Sequence, residues 1–351
     1  MSDIKWDGIP LNSLFTFERG KEKDMASLNV GHIPLVSARK VNNGIKGFID
    51  NPTKTYHGGN VITLNNDGDG GAGLAFYQSV DFALDTHVTA LSPRTNISPE
   101  ALIYMSASIS KQHAIFGHGR SISLPRAERL QDMLPVKDDG QPNIDYMVEY
   151  VQQRRTEMLN RYHIYIEKRL SELGKCKDIP ALEDVEWGSF NISNLFHIKP
   201  GKRLVAADST DGDRPFVGAL DNNNGVARFV SDTNASLDQN VLGVNYNGNG
   251  MVIGFYHPYE CIFSDDVKRF HLKEYEDNEF VLLFFKVVIL QQKSKFGYLY
   301  KFNADRMENT SVMVPVKNRK PDYEYMEQYT RNMMIRKYQQ YLRFLSQYSD
   351  L

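Results

Sequence analysis

The residues Asn65-Asn66-Asp67-Gly68-Asp69-Gly70 offer the oxygen donors of a calcium loop, with glycine at the sixth position when Asn65 is counted first. The twelfth position is then Phe76, where such a loop needs a bidentate glutamate, so the ligand set is incomplete. A comparable stretch, Asn245-Tyr246-Asn247-Gly248-Asn249-Gly250, has no carboxylates, and both suit tight turns with positive φ. Asp265, Asp266 and Lys268 are the residue types of a nuclease centre, yet the matching Asp85-Thr86-His87-Val88 lacks the lysine. Exposed charges near a strand end account for them equally well. Gly68 to Gly73 lacks the Lys-Ser/Thr ending of a phosphate-binding loop. His113 and His118 have no acidic or thiol companion that would make them metal ligands. Nothing assembles a nucleophile, a base and an orienting group, so the chain is expected to be non-catalytic, with no metal or cofactor of its own.

Two long helices must position whatever the loops carry. From Asn143 to about Leu173, Ile144, Val148, Val151, Met158, Tyr162 and Tyr165 recur at helical spacing, with Arg155 and Arg169 interrupting the same stripe. Such a helix is about 45 Å long at the usual rise per residue. From about Asp322 to Tyr348, the series Met334, Tyr338, Tyr341, Leu345, Tyr348 alternates steps of four and three, the heptad seam. Tyr146, Tyr150, Tyr325 and Tyr329 could pack between the two helices or anchor partner proteins.

The chain is a tandem duplication. Trp6 matches Trp187, Leu14-Phe15 matches Leu195-Phe196, Gly20-Lys21 matches Gly201-Lys202, and Asn43-Gly44 matches Asn224-Gly225, all 181 residues apart. Further on, Asn65 pairs with Asn245, Phe116-Gly117 with Phe296-Gly297, Pro135-Val136-Lys137 with Pro315-Val316-Lys317, and Tyr146-Met147 with Tyr325-Met326. These later pairs lie 179 or 180 residues apart, so the two copies are collinear. The expected layout is a strand-rich unit at 1–142, a central helix at 143–178, a second unit at 179–321 and a C-terminal helix at 322–351. The class is α+β: short runs such as Ile45 to Ile49 and Val226 to Val230 read as strands between Asn/Gly turns. Ser98-Pro99-Glu100 opens a helix in the first copy, and Glu279 to Lys293 is its counterpart.

Bulk properties narrow the classes. At 351 residues, 41% hydrophobic and 24% charged, each copy can bury its own core. No run of eighteen apolar residues exists, the nearest being Phe280 to Leu290, so no membrane span is expected. The start MSDIKWDGIP lacks a basic, apolar leader, and Cys176 and Cys261 are the only cysteines, which together suit a reducing cytoplasm. A formal net charge of −2 argues against a purely electrostatic nucleic-acid binder but leaves room for local basic faces.

Two related units, each opening with a W…LF…GK segment and closing on a PVK…YM helix, resemble the specificity subunit of Type I restriction–modification systems. They equally resemble the specificity subunit of Type IIB systems, and the compact length favours that branch. The resemblance covers essentially the whole chain. It implies that each unit is a target-recognition domain for one half of a split DNA site. It also implies that the two helices pack antiparallel as a coiled-coil-like spacer and dock methyltransferase, restriction or fused restriction–methylation subunits. S-adenosylmethionine and Mg²⁺ would then belong to those partners. Helix packing or partner contact would involve Tyr146, Tyr150, Met158, Tyr325, Tyr329, Tyr338 and Leu345. A duplicated protein-interaction scaffold and a stand-alone nuclease are the competing classes.

Base readout needs matched donors and acceptors on loops that follow a groove, with arginine for guanine and Asn or Gln for adenine. In the first unit the loops carry Arg19, Lys21, Arg39, Lys40, Asn42, Asn43, His118, Arg120 and Ser121. In the second they carry Lys202, Arg203, Asn222, Asn223, Asn224, Asn245, Tyr246, Asn247, Lys295, Tyr298 and Lys301. Lysines and serines would mostly hold phosphates. Asn and Gly are also simply what tight turns use. Because the frameworks match while the loops differ, the expected target is double-stranded, bipartite and asymmetric. A 45 Å ruler would separate its halves by on the order of a dozen base pairs.

Overall fold

The computed structural model describes residues 4–348 except 23–26, 57, 69–70, 118, 249 and 298, and only the backbone of 347–348. The chain divides into two compact units, Met1–Tyr162 and His163–Leu351.

The first unit is built on a four-stranded antiparallel sheet in the order Phe15–Arg19, Val88–Pro93, Val61–Asn65, Ala75–Gln78. A smaller sheet joins Ile45–Ile49 to Val30–Val36 antiparallel and Val30–Val36 to Ala83–Leu84 parallel. Lys5–Pro10 pairs with Gln131–Val136 and brings Trp6 opposite Pro135, so the two ends of the repeat signature are hydrogen-bonded neighbours. The second unit repeats this plan with Phe196–Pro200, Val267–Leu272, Val241–Asn245 and Gly254–His257. Its smaller sheet is Val226–Val230, Asp211–Val217 and Ile262–Phe263, and Trp187–Asn191 pairs with Ser311–Lys317.

Each large sheet is covered by one helix. In the first unit it is Pro99–Ser110, whose Ser98 hydroxyl accepts from the Ala101 amide. In the second it is Glu279–Leu290, capped by Asn278, which accepts from the Phe280 and Val281 amides. The apolar run Phe280 to Leu290 now has its explanation. It sits in one core with sheet residues Leu242 and Val244 and with Tyr323 and Met326 of the C-terminal helix Tyr323–Tyr348, so it has little polar face to show. Among the described residues, no helix is long and apolar enough to cross a membrane.

The central helix runs Ile144–Leu173. Within the second unit its last turns run antiparallel to the C-terminal helix: Tyr165 meets Tyr338 edge-on at 6.3 Å, while Cys176 and Lys177 beyond the helix reach Asn332. Leu173, Phe280 and Ile335 seal that junction, with Leu170, Met334 and Tyr338 against them. The arginines that break the apolar stripe are pairing points. Arg155 lies 3.6 Å from Glu100 in the first unit, and in the second Arg169 grips both carboxylate oxygens of Glu279 at 2.8 and 2.7 Å. Glu100 and Glu279 both sit in the first turn of their helices, where a carboxylate also favours the helix dipole.

Four tyrosines at the starts of the long helices pack against their own units. Tyr146 and Tyr150 stack edge-on against Tyr104 of Pro99–Ser110, at 6.5 and 5.5 Å. Tyr329 meets Phe284 of Glu279–Leu290 edge-on at 5.9 Å, and the Tyr325 hydroxyl donates to the Pro180 carbonyl. They dock each long helix onto its own unit, because the first turns of a helix that follows a domain lie against that domain. Met158 is 69% exposed, and Leu345 is half-buried.

One buried charge is costly. Asp132 is 1% exposed, and burial pushes its carboxyl up to about 6, with only partial relief from the Ser108 hydroxyl at 2.8 Å. A carboxyl raised in the fold binds its proton more tightly there than when unfolded, so stability falls as pH rises between about 4 and 6. Asp132→Asn should therefore stabilise the first unit at pH 7.5 by on the order of 2 kcal/mol. The gain should vanish near pH 4; thermal melts showing an equal gain at both pH values would disprove the cause.

Candidate nucleic-acid interface

The turns come first, since they decide which side chains face outward. Asn42, Asn43 and Gly44 have φ of 56°, 53° and 76°, and Asn223, Asn224 and Gly225 repeat this at 48°, 53° and 75°. The Asn43 amide donates to the Tyr77 carbonyl at 2.9 Å and to the Gln78 side chain, which returns a bond to the Asn43 carbonyl. Asn224 donates to the Tyr256 carbonyl and the Tyr259 hydroxyl. Both amides pin their turns to the neighbouring strand. Asn42, Asn222 and Asn223 are left exposed.

Asn245 is 1% exposed and donates to the carbonyls of Leu220 and Gly250, just as Asn65 donates to that of Arg39. It is a brace between two loops and does not face a duplex. The reason is its place at the strand end, where the side chain points inward.

In the first unit, the Arg19 guanidinium donates to the Thr86 carbonyl and that of Arg39 to the Ile45 carbonyl, which limits their reach. Lys21, Lys40, Arg120 and Ser121 are exposed. The glycine before Lys21 has a reason. A Cβ on Gly20 would lie 2.0 Å from the Asp85 carbonyl oxygen, and on Gly201 2.0 Å from that of Ser264. His118 and Tyr298 lie outside the described residues, as do Asp69 and Gly70 of the calcium-like stretch.

The second unit gathers its candidates more tightly. Lys268 Nζ sits 4.5 Å over the Tyr246 ring, and burial lowers its ammonium affinity for the proton. Asn247 donates to Asp266 at 3.0 Å, and Arg203, largely exposed, lies 3.8 Å from Asp265. The would-be nuclease carboxylates are thus engaged by an amide and a guanidinium. Among the described residues, no group of three or more His, Cys, Asp or Glu side chains could hold a metal ion. Asn247, Met251, Lys293, Phe296 and Lys301 line a cavity of about 260 Å³, so the turn after Val241–Asn245 and the glycine loop after Glu279–Leu290 form one surface. Exposed Lys202 and Lys295 add positive charge to this unit.

Lys293, Tyr300 and Arg306 were not among the residues singled out from sequence, and Lys268 was considered there only beside Asp265 and Asp266. Lys293 has no lysine counterpart, its match 180 residues earlier being His113, whereas Arg306 lies 180 residues after Arg126 and the repeat could have marked it.

The loops of both units thus present exposed Asn, Arg, Lys and Tyr side chains. The family described as "Type I restriction modification DNA specificity domain" matches this chain twice, over residues 3–170 and 184–341. The chain belongs to that family and is a DNA specificity chain of the restriction–modification class. It is 38% identical over 335 residues to the "Type II restriction enzyme BgcI specificity subunit S.BcgI" of Heyndrickxia coagulans, covering 94% of this chain and 95% of that protein. Among solved structures, it is similar to the Type I S subunit from M. genitalium, with a TM-score of 0.49 and 15% identity over 99% of this chain and 94% of that one. It is also similar to the HsdS subunit from Thermoanaerobacter tengcongensis, with a TM-score of 0.33 and 11% identity over 97% and 91%.

Proposed function

We propose that the chain reads a bipartite, asymmetric DNA site, one unit per half-site, and docks the methyltransferase and restriction subunits that carry out the chemistry. One observation carries this. Two units share the same strands, the same left-handed Asn turns and the same Gly-bridged hairpins, yet place different side chains on them. Equal scaffolds with unequal tips suit two different half-sites. S-adenosylmethionine and Mg²⁺ are assigned to the partners. The relative named as a Type II restriction enzyme subunit supports a Type IIB-like assembly. Exposed Met158 and Ile164 on the central helix are proposed partner contacts.

Arg120 is the sharpest test. It is exposed at the end of the Gly117–Arg120 hairpin, in the place Tyr300 takes in the second unit. Arg120→Ala should relax preference at one or two positions of one half-site, at about 1–3 kcal/mol, and leave the other half-site unchanged. The measurement is enrichment of a randomised duplex library by the chain with its methyltransferase partner. Equal weakening on every sequence would make Arg120 a phosphate clamp, and a library that enriches nothing would favour a protein-interaction scaffold.

A further inference from the structure

We propose that Leu299 reads the 5-methyl group of one thymine in the second unit's half-site, entering the major groove at the tip of a braced hairpin. The inference rests on the half-site assignment above. Leu299 is 96% exposed, the highest value among the exposed large apolar side chains described. It contributes nothing to the core, so packing within the fold does not occupy its side chain.

The base of the hairpin is braced on both sides. Gly297 and Tyr300 exchange backbone bonds at 3.1 and 3.0 Å. The Tyr300 ring stacks on Phe296 at 5.8 Å and 11°, and Phe296 packs at 4.6 Å on Phe302, which is fully buried. From the other side, Arg306 lies 3.8 Å over the Tyr300 ring and donates to the Lys301 carbonyl at 2.9 Å. The Phe302 amide meets the Met251 sulfur at 3.2 Å, which ties the loop to the neighbouring turn.

The first unit shows that the scaffold does not demand leucine. Its hairpin closes the same way between Gly117 and Arg120, and Arg126 donates to the Ser121 carbonyl as Arg306 does to that of Lys301. At the apex stands Gly119, and a Cβ there would meet nothing within 4 Å. Either tip could carry any side chain as far as the fold is concerned, so the choice answers to what the tip touches.

Charge and shape indicate what that is. Lys293, Lys295 and Lys301 surround the loop and suit phosphates on either side of a groove. The major groove admits a two-stranded ribbon, and the thymine methyl is the apolar group on its base edges. A leucine, which can form no hydrogen bond, discriminates there by burying that methyl.

The test uses the full chain and two randomised duplex libraries, one with thymine and one with uracil in its place. Wild type should enrich from the thymine library a motif with one position that prefers thymine to uracil roughly fourfold, the value of one buried methyl group. Leu299→Ala should abolish that preference, keep every other position, and leave the position moved by Arg120→Ala untouched; Leu299→Met should restore part of it. Equal binding of thymine and uracil duplexes by wild type overturns the proposal. So does a preference that survives Leu299→Ala, or unstacking of 2-aminopurine beside the site without methyl dependence, which would make Leu299 a wedge. If neither library yields any motif, the half-site assignment itself fails.

Discussion

Asp238→Ala should destabilise the second unit by about 3–5 kcal/mol, the cost of leaving a buried charge without its partner. Asp238 accepts from Arg269 and from His271, both at 2.9 Å, and Arg269 is 6% exposed. Arg269 also donates to the Pro200 carbonyl, so its loss of Asp238 cannot be relieved by turning outward. His271 is held on its other side by Asp277 at 2.7 Å. The first unit folds the same sheet with Ala90 where the second has Arg269: Ala90 lies opposite Thr63 as Arg269 lies opposite Gly243. The cluster is thus not required by the fold. Replacing Asp238, Arg269 and His271 together by small apolar residues should cost far less than Asp238→Ala alone. Chemical denaturation of these two variants beside wild type decides it; a triple variant as unstable as the single one would show that the ions are net stabilising.

The same cluster sets a pH dependence. The bond to Asp277 first, and Asp238 second, raise the His271 pKa above its usual 6.5 against the cost of burial. Its contribution is therefore complete below 6.5 and is lost as pH rises through the higher folded value. His257 acts in the opposite sense. Fully buried, it is pushed down to about 4, so stability is lost as pH falls from 6.5 towards 4. The second unit should be most stable between these limits, and His257→Gln, which supplies the first unit's Gln78 in its place, should remove the acid limb.

Gly201→Ala should cost the second unit about 3 kcal/mol or more, because its Cβ would occupy the space of the Ser264 carbonyl oxygen, which is backbone and cannot swing aside. The Gly201 amide bonds to the Val267 carbonyl and that of Lys202 to the Phe263 carbonyl, so this dipeptide stitches the large sheet to the small one. Lys202→Ala keeps both backbone bonds. It should leave stability within about 0.5 kcal/mol while weakening binding to all duplexes and lowering the salt slope by about 1. A Gly201→Ala chain as stable as wild type, or a Lys202→Ala chain with an unchanged salt slope, would contradict this division of labour in the repeated Gly-Lys pair.

The duplication, the two long helices, the Ser98 cap of Pro99–Ser110 and the strand-rich unit ahead of each long helix were legible in the amino-acid sequence alone. These signals are local or periodic: a stripe at helical spacing, Ser98 before Pro99, or Trp6 and Trp187 in matching places survive in one dimension. Which loop side chains face outward was decided only by the tertiary structure. Asn245 looks like Asn223 in sequence, yet it is buried because the Leu220 carbonyl, 25 residues away, accepts its amide. Arg155 and Arg169 look like flaws in an apolar stripe until Glu100 and Glu279 are brought beside them. A side chain's direction depends on partners that folding brings from far along the chain, and no spacing between neighbours encodes them.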